Sequence, residues 1–208
     1  GSGAVTPSAA SDSESTGIDL EAAGTKYLTD YQISYRDGND WKVITDSTTV
    51  PAYTTLRLTV YFGGISATEL IKKGGLLYLN VPSLLQNPAV SSGNVTDNDG
   101  NKIGTITVSD NRINLQADIN YLQKQLEEEK KDYTIENGQL TFTATPDPAM
   151  VRESSTQTLN LGPLKITISF DPDSDAKSGS LSLSKPAPEY ISDTDGTAYL
   201  KYSLTVAT

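Results

Sequence analysis

IKKGGLLYLNVPSLL (71–85), VTDNDGNKIGTITVSDNRINL (95–115), YTIENGQLTFTATPDPAMV (133–151) and LNLGPLKITISFDPD (159–173) follow one another as apolar-alternating runs closed by polar turns. Alternation at this density means strands with one face buried against a second sheet. Leu164, Ile166, Ile168 and Phe170 share one face of the last run. Upstream, LRLTVYF puts Leu56, Leu58, Val60 and Phe62 on one face and Arg57, Thr59 and Tyr61 on the other, a half-buried strand. KYLTDYQISYR and WKVI read as two strands joined by the turn RDGND. Asp99-Gly100 marks a hairpin, and Asn137-Gly138 a turn into QLTFTAT. Ser66 caps a helical turn through Leu70 and Ile71 that ends at Gly74. Ile119, Leu122 and Leu126 fall at helical spacing behind a capping Asp118, with Glu127, Glu128 and Glu129 on the solvated side. The expectation is an all-β fold of two packed antiparallel sheets with one short helix, about residues 118–131, crossing one end.

Outside this region the pattern weakens. Residues 1–24 are Ser/Ala/Thr/Glu-rich and read as a flexible leader, with GSG an expression scar. Residues 25–176 form the domain. Residues 177–208 carry SLSLSKPAPEY and TAYLKYSLTVAT, a terminal β-hairpin that either closes the domain or opens a following one. The chain reads as a piece of a longer protein without its export signal and anchor.

Composition narrows the chemistry. The 208 residues suffice for a real core. A net charge of -10 rules against a nucleic-acid footprint. The chain has no Cys, which excludes a disulfide scaffold and thiolate-bound zinc. It also has no His, which removes the Ser-His-Asp and Cys-His pairs and the commonest metal ligand. No apolar run reaches the ~20 residues of a membrane span, so direct membrane insertion is not expected.

The order of the phrases resembles the immunoglobulin-like adhesive domains of Gram-positive cell-wall-anchored surface proteins, the collagen- and fibrinogen-binding adhesin group. The residues that carry the resemblance are LRLTVYF, Ile71–Gly74–Gly75 leading to Val81–Pro82, Val95–Asp97–Gly100–Gly104–Thr105, and Gly138–Leu140–Phe142 leading to Asp147. It covers roughly residues 26–175. Gly75 departs from the pattern, standing where the family often has an acidic residue. The resemblance implies an immunoglobulin-like β-sandwich in a secreted, extracellular, cell-surface protein. It implies a non-catalytic module for cell adhesion, attaching to a host extracellular matrix protein, peptide or glycan, with neighbouring domains of the same protein as partners. In two-domain members a peptide lies between modules and a C-terminal strand latches it by strand addition. A structural stalk or pilin-type spacer, and a carbohydrate-binding accessory module of a secreted enzyme, are the alternatives.

Candidate sites are few. Trp41, the sole Trp, stands beside a turn among Tyr27, Tyr31 and Tyr35 and is the candidate ligand-binding residue, although its edge position favours rim packing. Asp171, Asp173 and Asp175 are the best candidates for Ca²⁺, ahead of Asp97/Asp99 and Asp193/Asp195; none fits an EF-hand, and turn chemistry explains all three clusters without a metal. Relatives in the family carry Lys–Asn or Lys–Asp amide crosslinks. Lys26, Lys165 and Lys201 are strand lysines without an evident partner, Asn114 and Asn160 being arbitrary choices, so no crosslink is expected. No cofactor and no catalytic residue is expected.

Overall fold

β5 (Leu56–Phe62) alternates buried and half-buried residues along its whole length. Leu56, Leu58, Val60 and Phe62 are at most 1% exposed, as the period of two demands of a strand with one face in a core. Its antiparallel partners are β12 (Thr134–Pro146) on one side and β2 (Leu28–Asp37) on the other. In register with β5, Leu140, Phe142 and Ala144 of β12 and Ile33 of β2 join the same core. β3 (Asp40–Val43) pairs with β2 through a hairpin whose loop is Gly38 and Asn39.

The computed structural model describes residues 16–97, 99–173 and 198–203. Beside the strands above lie β1 (Ile18–Asp19), β4 (Thr49–Pro51), β6 (Ile65–Ser66), β7 (Leu76–Asn80) and β8 (Leu85–Ala89). β9 (Asn94–Thr96), β10 (Lys102–Ser109) and β11 (Arg112–Ala117) follow, then β13 (Thr156–Leu161), β14 (Leu164–Asp171) and β15 (Ala198–Ser203). The larger sheet runs β1-β7-β11-β10-β9-β15-β12-β5-β2-β3, with β6 and β8 as further partners of β12. The smaller runs β13-β14-β4. Side chains from both sheets form one apolar cluster, including Leu77, Leu115, Phe142, Leu159 and Ile168. The chain is thus mostly β, antiparallel-rich and sandwich-like.

The helices sit where polar caps start them. Ser66 Oγ accepts from Glu69 N (3.1 Å) at the head of α1 (Ala67–Lys72). Asp118 Oδ1 accepts from Asn120 N (3.0 Å) and starts α2 (Ile119–Glu129), which ends at Lys130 in the left-handed conformation. Asp147 Oδ1 accepts from Ala149 N (3.0 Å) and Pro148 occupies the first turn of α3 (Pro148–Glu153). Asp132 ties α1 down from outside: Ser66 Oγ donates to its Oδ2 (2.8 Å), and Thr68 N and Oγ1 donate to its Oδ1 (3.1 and 2.9 Å). Burial pushes the Asp132 carboxyl up, but the donors from Ser66, Thr68 and Tyr133 outweigh it and hold it below the usual aspartate value of 3.8.

Four expectations need correction. The leader does not extend to residue 24: Ile18 pairs in parallel with Leu77, and Leu20 is wholly buried. Two apolar residues at period two suffice for this strand, too few to stand out in a polar segment. Asn137-Gly138 is not a turn between strands. β12 runs through it with a register shift between Glu136 and Gln139, and Asn137 takes φ 57°, the signature of a bulge. The 118–131 helix is present as α2 but is not the sole helix, since α1 and α3 flank it in sequence. Residues 148–151, part of a strand-like run in sequence, are helical because Asp147-Pro148 is a strong helix start. The expected strand at 180–190 lies outside the described residues.

Two glycines are fixed by contact. A Cβ on Gly138 would come within 2.5 Å of three ring carbons of buried Phe62. Gly75, at φ 80°, leaves about 3.0 Å between such an atom and the Ala117 carbonyl, so any side chain there is strained. Gly138→Ala is expected to cost about 1–3 kcal/mol in denaturant unfolding. Gly93→Ala, whose nearest neighbour would lie at 3.6 Å, is expected to change stability by less than about 0.5 kcal/mol. Asp132 gives a pH test. A carboxylate held low in the folded state stabilises fully above about pH 4 and loses that contribution as pH falls through its folded pKa. Asp132→Asn should therefore flatten the acid limb of the stability profile below about pH 4, measured by urea unfolding across pH.

Candidate functional site

The face of β5 that turns away from the core carries Arg57, Thr59 and Tyr61. Register extends this face across four strands. Ser34 lies opposite Arg57, and Gln32 opposite Thr59, on β2. On β12, Thr141 lies opposite Thr59, and Gln139 opposite Tyr61. Trp41 of β3 lies opposite Arg36 of β2, so it shares this outer side. The bulge in β2 places Asp30 opposite Tyr61, at the far end from Trp41.

Two cations approach the ring of Trp41. The Arg57 guanidinium carbon is 4.5 Å from the centre of its ring and that of Arg36 is 5.2 Å away. Arg36 is itself fixed: its Nε donates to Gly38 O (3.0 Å), and its carbonyl accepts from Thr54 Oγ1 (2.8 Å). Next to Arg57 the surface sinks into a depression of about 110 Å³. Ser34 and Thr141, 3% and 2% exposed, lie at its floor, and Gln32, Arg57, Thr59, Tyr61 and Gln139 complete its lining. Thr59 and Thr141 join hydroxyls across the strand pair at 2.7 Å. Among the described residues this lining holds one cation, hydroxyls and amides, and no carboxylate. Such a surface can donate and accept hydrogen bonds and can pair with an anion at the Arg57 end. It offers no acid–base pair for bond cleavage.

Trp41, singled out in the sequence, therefore belongs to a site that the sequence did not assemble. Arg36, Arg57 and the hydroxyl floor were missed, because three strand registers bring them together. Period two had already put Arg57, Thr59 and Tyr61 on the outer face. Tyr27, Tyr31 and Tyr35 are not part of it; they pack, partly buried, against the core.

The acidic candidates serve turns. Asp171 Oδ1 accepts the N–H of Asp173 (3.1 Å). Asp97 accepts the N–H groups of Asp99 and Asn101, both at 2.9 Å, and the Asn101 amide at 3.2 Å. Burial pushes Asp97 up, and these donors outweigh it and lower its pKa. Among the described residues no three acidic side chains come together as a cation site. Asp175, Asp193 and Asp195 lie outside the described residues. Lys26 and Lys165 are exposed, without the burial that amide crosslinking requires, and Asn160 is exposed as well. A second polar cluster ties the β1 end together: Asn80 N donates to Glu21 Oε1 (2.9 Å), Arg112 Nε donates to Asn80 Oδ1 (3.1 Å), and Arg112 covers the Tyr78 ring at 4.1 Å. Burial raises the Glu21 carboxyl against that hydrogen bond. These groups satisfy one another.

Comparison with family models, with curated proteins and with solved structures gave no match to this chain.

The stacking geometry makes a direct prediction. A double-mutant cycle on Trp41→Leu and Arg57→Gln, read by denaturant unfolding, should return a coupling of about 0.5–1 kcal/mol. The ion pair between Lys42 Nζ and Asp37 Oδ2 (2.8 Å), on the opposite side of the hairpin, should contribute less, since both side chains are over half exposed.

Proposed function

We propose that this chain is a non-catalytic ligand-binding module of a bacterial surface adhesin. It is an immunoglobulin-like sandwich displayed outside the cell on a wall-anchored protein, and it attaches to a host matrix protein, peptide or glycan. The observation that carries this reading is the outer face of β3-β2-β5-β12. An aromatic ring with two guanidinium groups within about 5 Å of its centre lies beside a polar depression, on strands held in register by a continuous ladder. Recognition without turnover calls for such pre-positioned donors, acceptors and an aromatic. The sandwich-like architecture and the order of the Leu-rich, Gly-Gly, Asp-Gly and Phe-x-Phe-type phrases favour the adhesin setting over an enzyme accessory module.

A matrix-protein and glycan array probed with the folded chain tests this reading. Binding to at least one class of ligand is expected, weakened about tenfold or more by Trp41→Ala. A folded chain that binds nothing on the array leaves the stalk or spacer reading in its place.

A further inference from the structure

We propose that the free edge of β3 is a self-complementary contact, which joins two copies of this chain strand against strand about a two-fold axis at Trp41. Among the described residues the larger sheet ends on β1 and β3, and the smaller on β13 and β4. β1 has two residues, and β4 has three and closes on Pro51. β13 is longer, but Ser154 Oγ already donates to its first carbonyl, Thr156 O (3.0 Å), and the Gly162 turn at its other end lies against the Glu21 backbone. β3 stands open: Asp40, Lys42 and Val43 are exposed, Val43 at 49%. Such an edge is a row of donors and acceptors ready for another strand.

The ladder with β2 shows which backbone groups face outward. Ile44 N donates to Ile33 O (2.9 Å), and Arg36, opposite Trp41, sends its N–H to Thr55 O (2.9 Å) on the other side of β2. Hydrogen-bonded and non-hydrogen-bonded pairs alternate along an antiparallel ladder. Trp41 and Val43 therefore make no ladder bonds to β2, and their N–H and C=O groups point off the sheet. Beyond them the edge closes, because Thr45 N donates to Thr48 Oγ1 (2.9 Å).

Charge selects both the occupant and the register. In a second β3 running antiparallel, outward groups must meet outward groups, so the register moves only in steps of two. With Trp41 opposite Trp41, Asp40 of each copy faces Lys42 of the other, in the close non-hydrogen-bonded pairs. One step either way sets Lys42 against Lys42 or Asp40 against Asp40, which opposes pairing. The order Asp-Trp-Lys complements its own reverse, as a two-fold contact requires. Asp40 forms no ion pair among the described residues, and its cross-strand neighbour on β2 is Asp37, a like charge. Lys42 Nζ holds Asp37 Oδ2 at 2.8 Å, yet an ammonium has three donors and this side chain is over half exposed, so it can bridge Asp37 and the Asp40 of the second copy.

On the other face of β3, Trp41 meets Trp41, and the exposed Val43 comes diagonally beside the indole of the second copy. Aromatic and β-branched neighbours of this kind favour pairing. An unrelated strand would gain the backbone bonds without the reciprocal charges. The contact is short, below the roughly 1,000 Å² of a stable interface, so the dimer is weak, with a dissociation constant of about 0.1–1 mM. Copies tethered side by side reach effective concentrations of that order.

Sedimentation velocity of the chain over rising concentration tests the contact, with the emission of Trp41, the only Trp, followed in parallel. A monomer–dimer equilibrium is expected, with emission changing as dimer forms. Asp40→Lys alone and Lys42→Asp alone should each weaken association at least about tenfold, because each sets like charges opposite one another. Their equimolar mixture should restore it, since the new lysine of one variant faces the new aspartate of the other and the original pair is kept. Val43→Pro removes an N–H that β2 does not use, so the strand keeps its place while the second copy loses a bond and association falls. Thermal unfolding of each variant checks the fold; if Val43→Pro unfolds, the charge-swapped pair decides. A monomer at every concentration overturns the assignment and leaves the edge to a strand of another protein. A dimer that survives both single charge variants, a mixture that fails to associate, or a folded Val43→Pro chain that dimerises as before also overturns it.

Discussion

The ladder between β5 and β12 constrains both surfaces of this molecule at once. Seven residue pairs, from Gly138 opposite Phe62 to Ala144 opposite Leu56, hold the two strands in one register. On the inner side this brings Val60 onto Leu140 and Leu58 onto Phe142, the centre of the core. On the outer side the same register brings Thr59 onto Thr141 and Tyr61 onto Gln139. A slip of one residue would send the apolar set to solvent and scatter the polar set. The core therefore guarantees the geometry of the face. Burial of Leu56, Leu58, Val60 and Phe62, about 1.5–3 kcal/mol each at full burial, makes any other register too costly.

Much of this was legible from the chain. β5, β7, β10, β11 and β14 follow from period two alone, and α1 and α2 from the caps Ser66 and Asp118 ahead of apolar residues at helical spacing. The failures share a cause. Asn137-Gly138 carries the local signal of a hairpin, but β5 and β15 flank β12 on both sides, and the long-range pairing turns a reversal into a bulge. β8 contains Pro88, which argues against a strand, and it is tolerated because β12 is its only ladder partner among the described residues. β1 is two residues long and exists through its parallel pairing to β7. In each case the deciding partner is distant in sequence.

The site was legible in halves. Alternation identifies which residues of β5 look outward, and a lone Trp draws notice by rarity. What cannot be read is that Arg36 and Arg57, 21 positions apart in the numbering, both come onto Trp41. The hairpin at Gly38 and Asn39 sets one of those approaches and the β2–β5 register sets the other. Surface chemistry of this kind is a product of strand pairing, so a residue list without register contains the parts of the face but not the face.

β15 occupies an unusual place. It lies between β9, to which it is parallel, and β12, to which it is antiparallel, and Ala198 reaches back to Val95. Among the described residues it is the one hydrogen-bonded link between the β1-β7-β11-β10-β9 half of the larger sheet and the β12-β5-β2-β3 half. Pulling force applied along the chain at this strand would therefore be resisted by two ladders at once. One of them, to β12, is loaded in shear across at least five paired positions. A module whose last described strand is stapled between both halves transmits tension into its whole sheet instead of peeling from an edge, a mechanical property written into strand order rather than into any side chain.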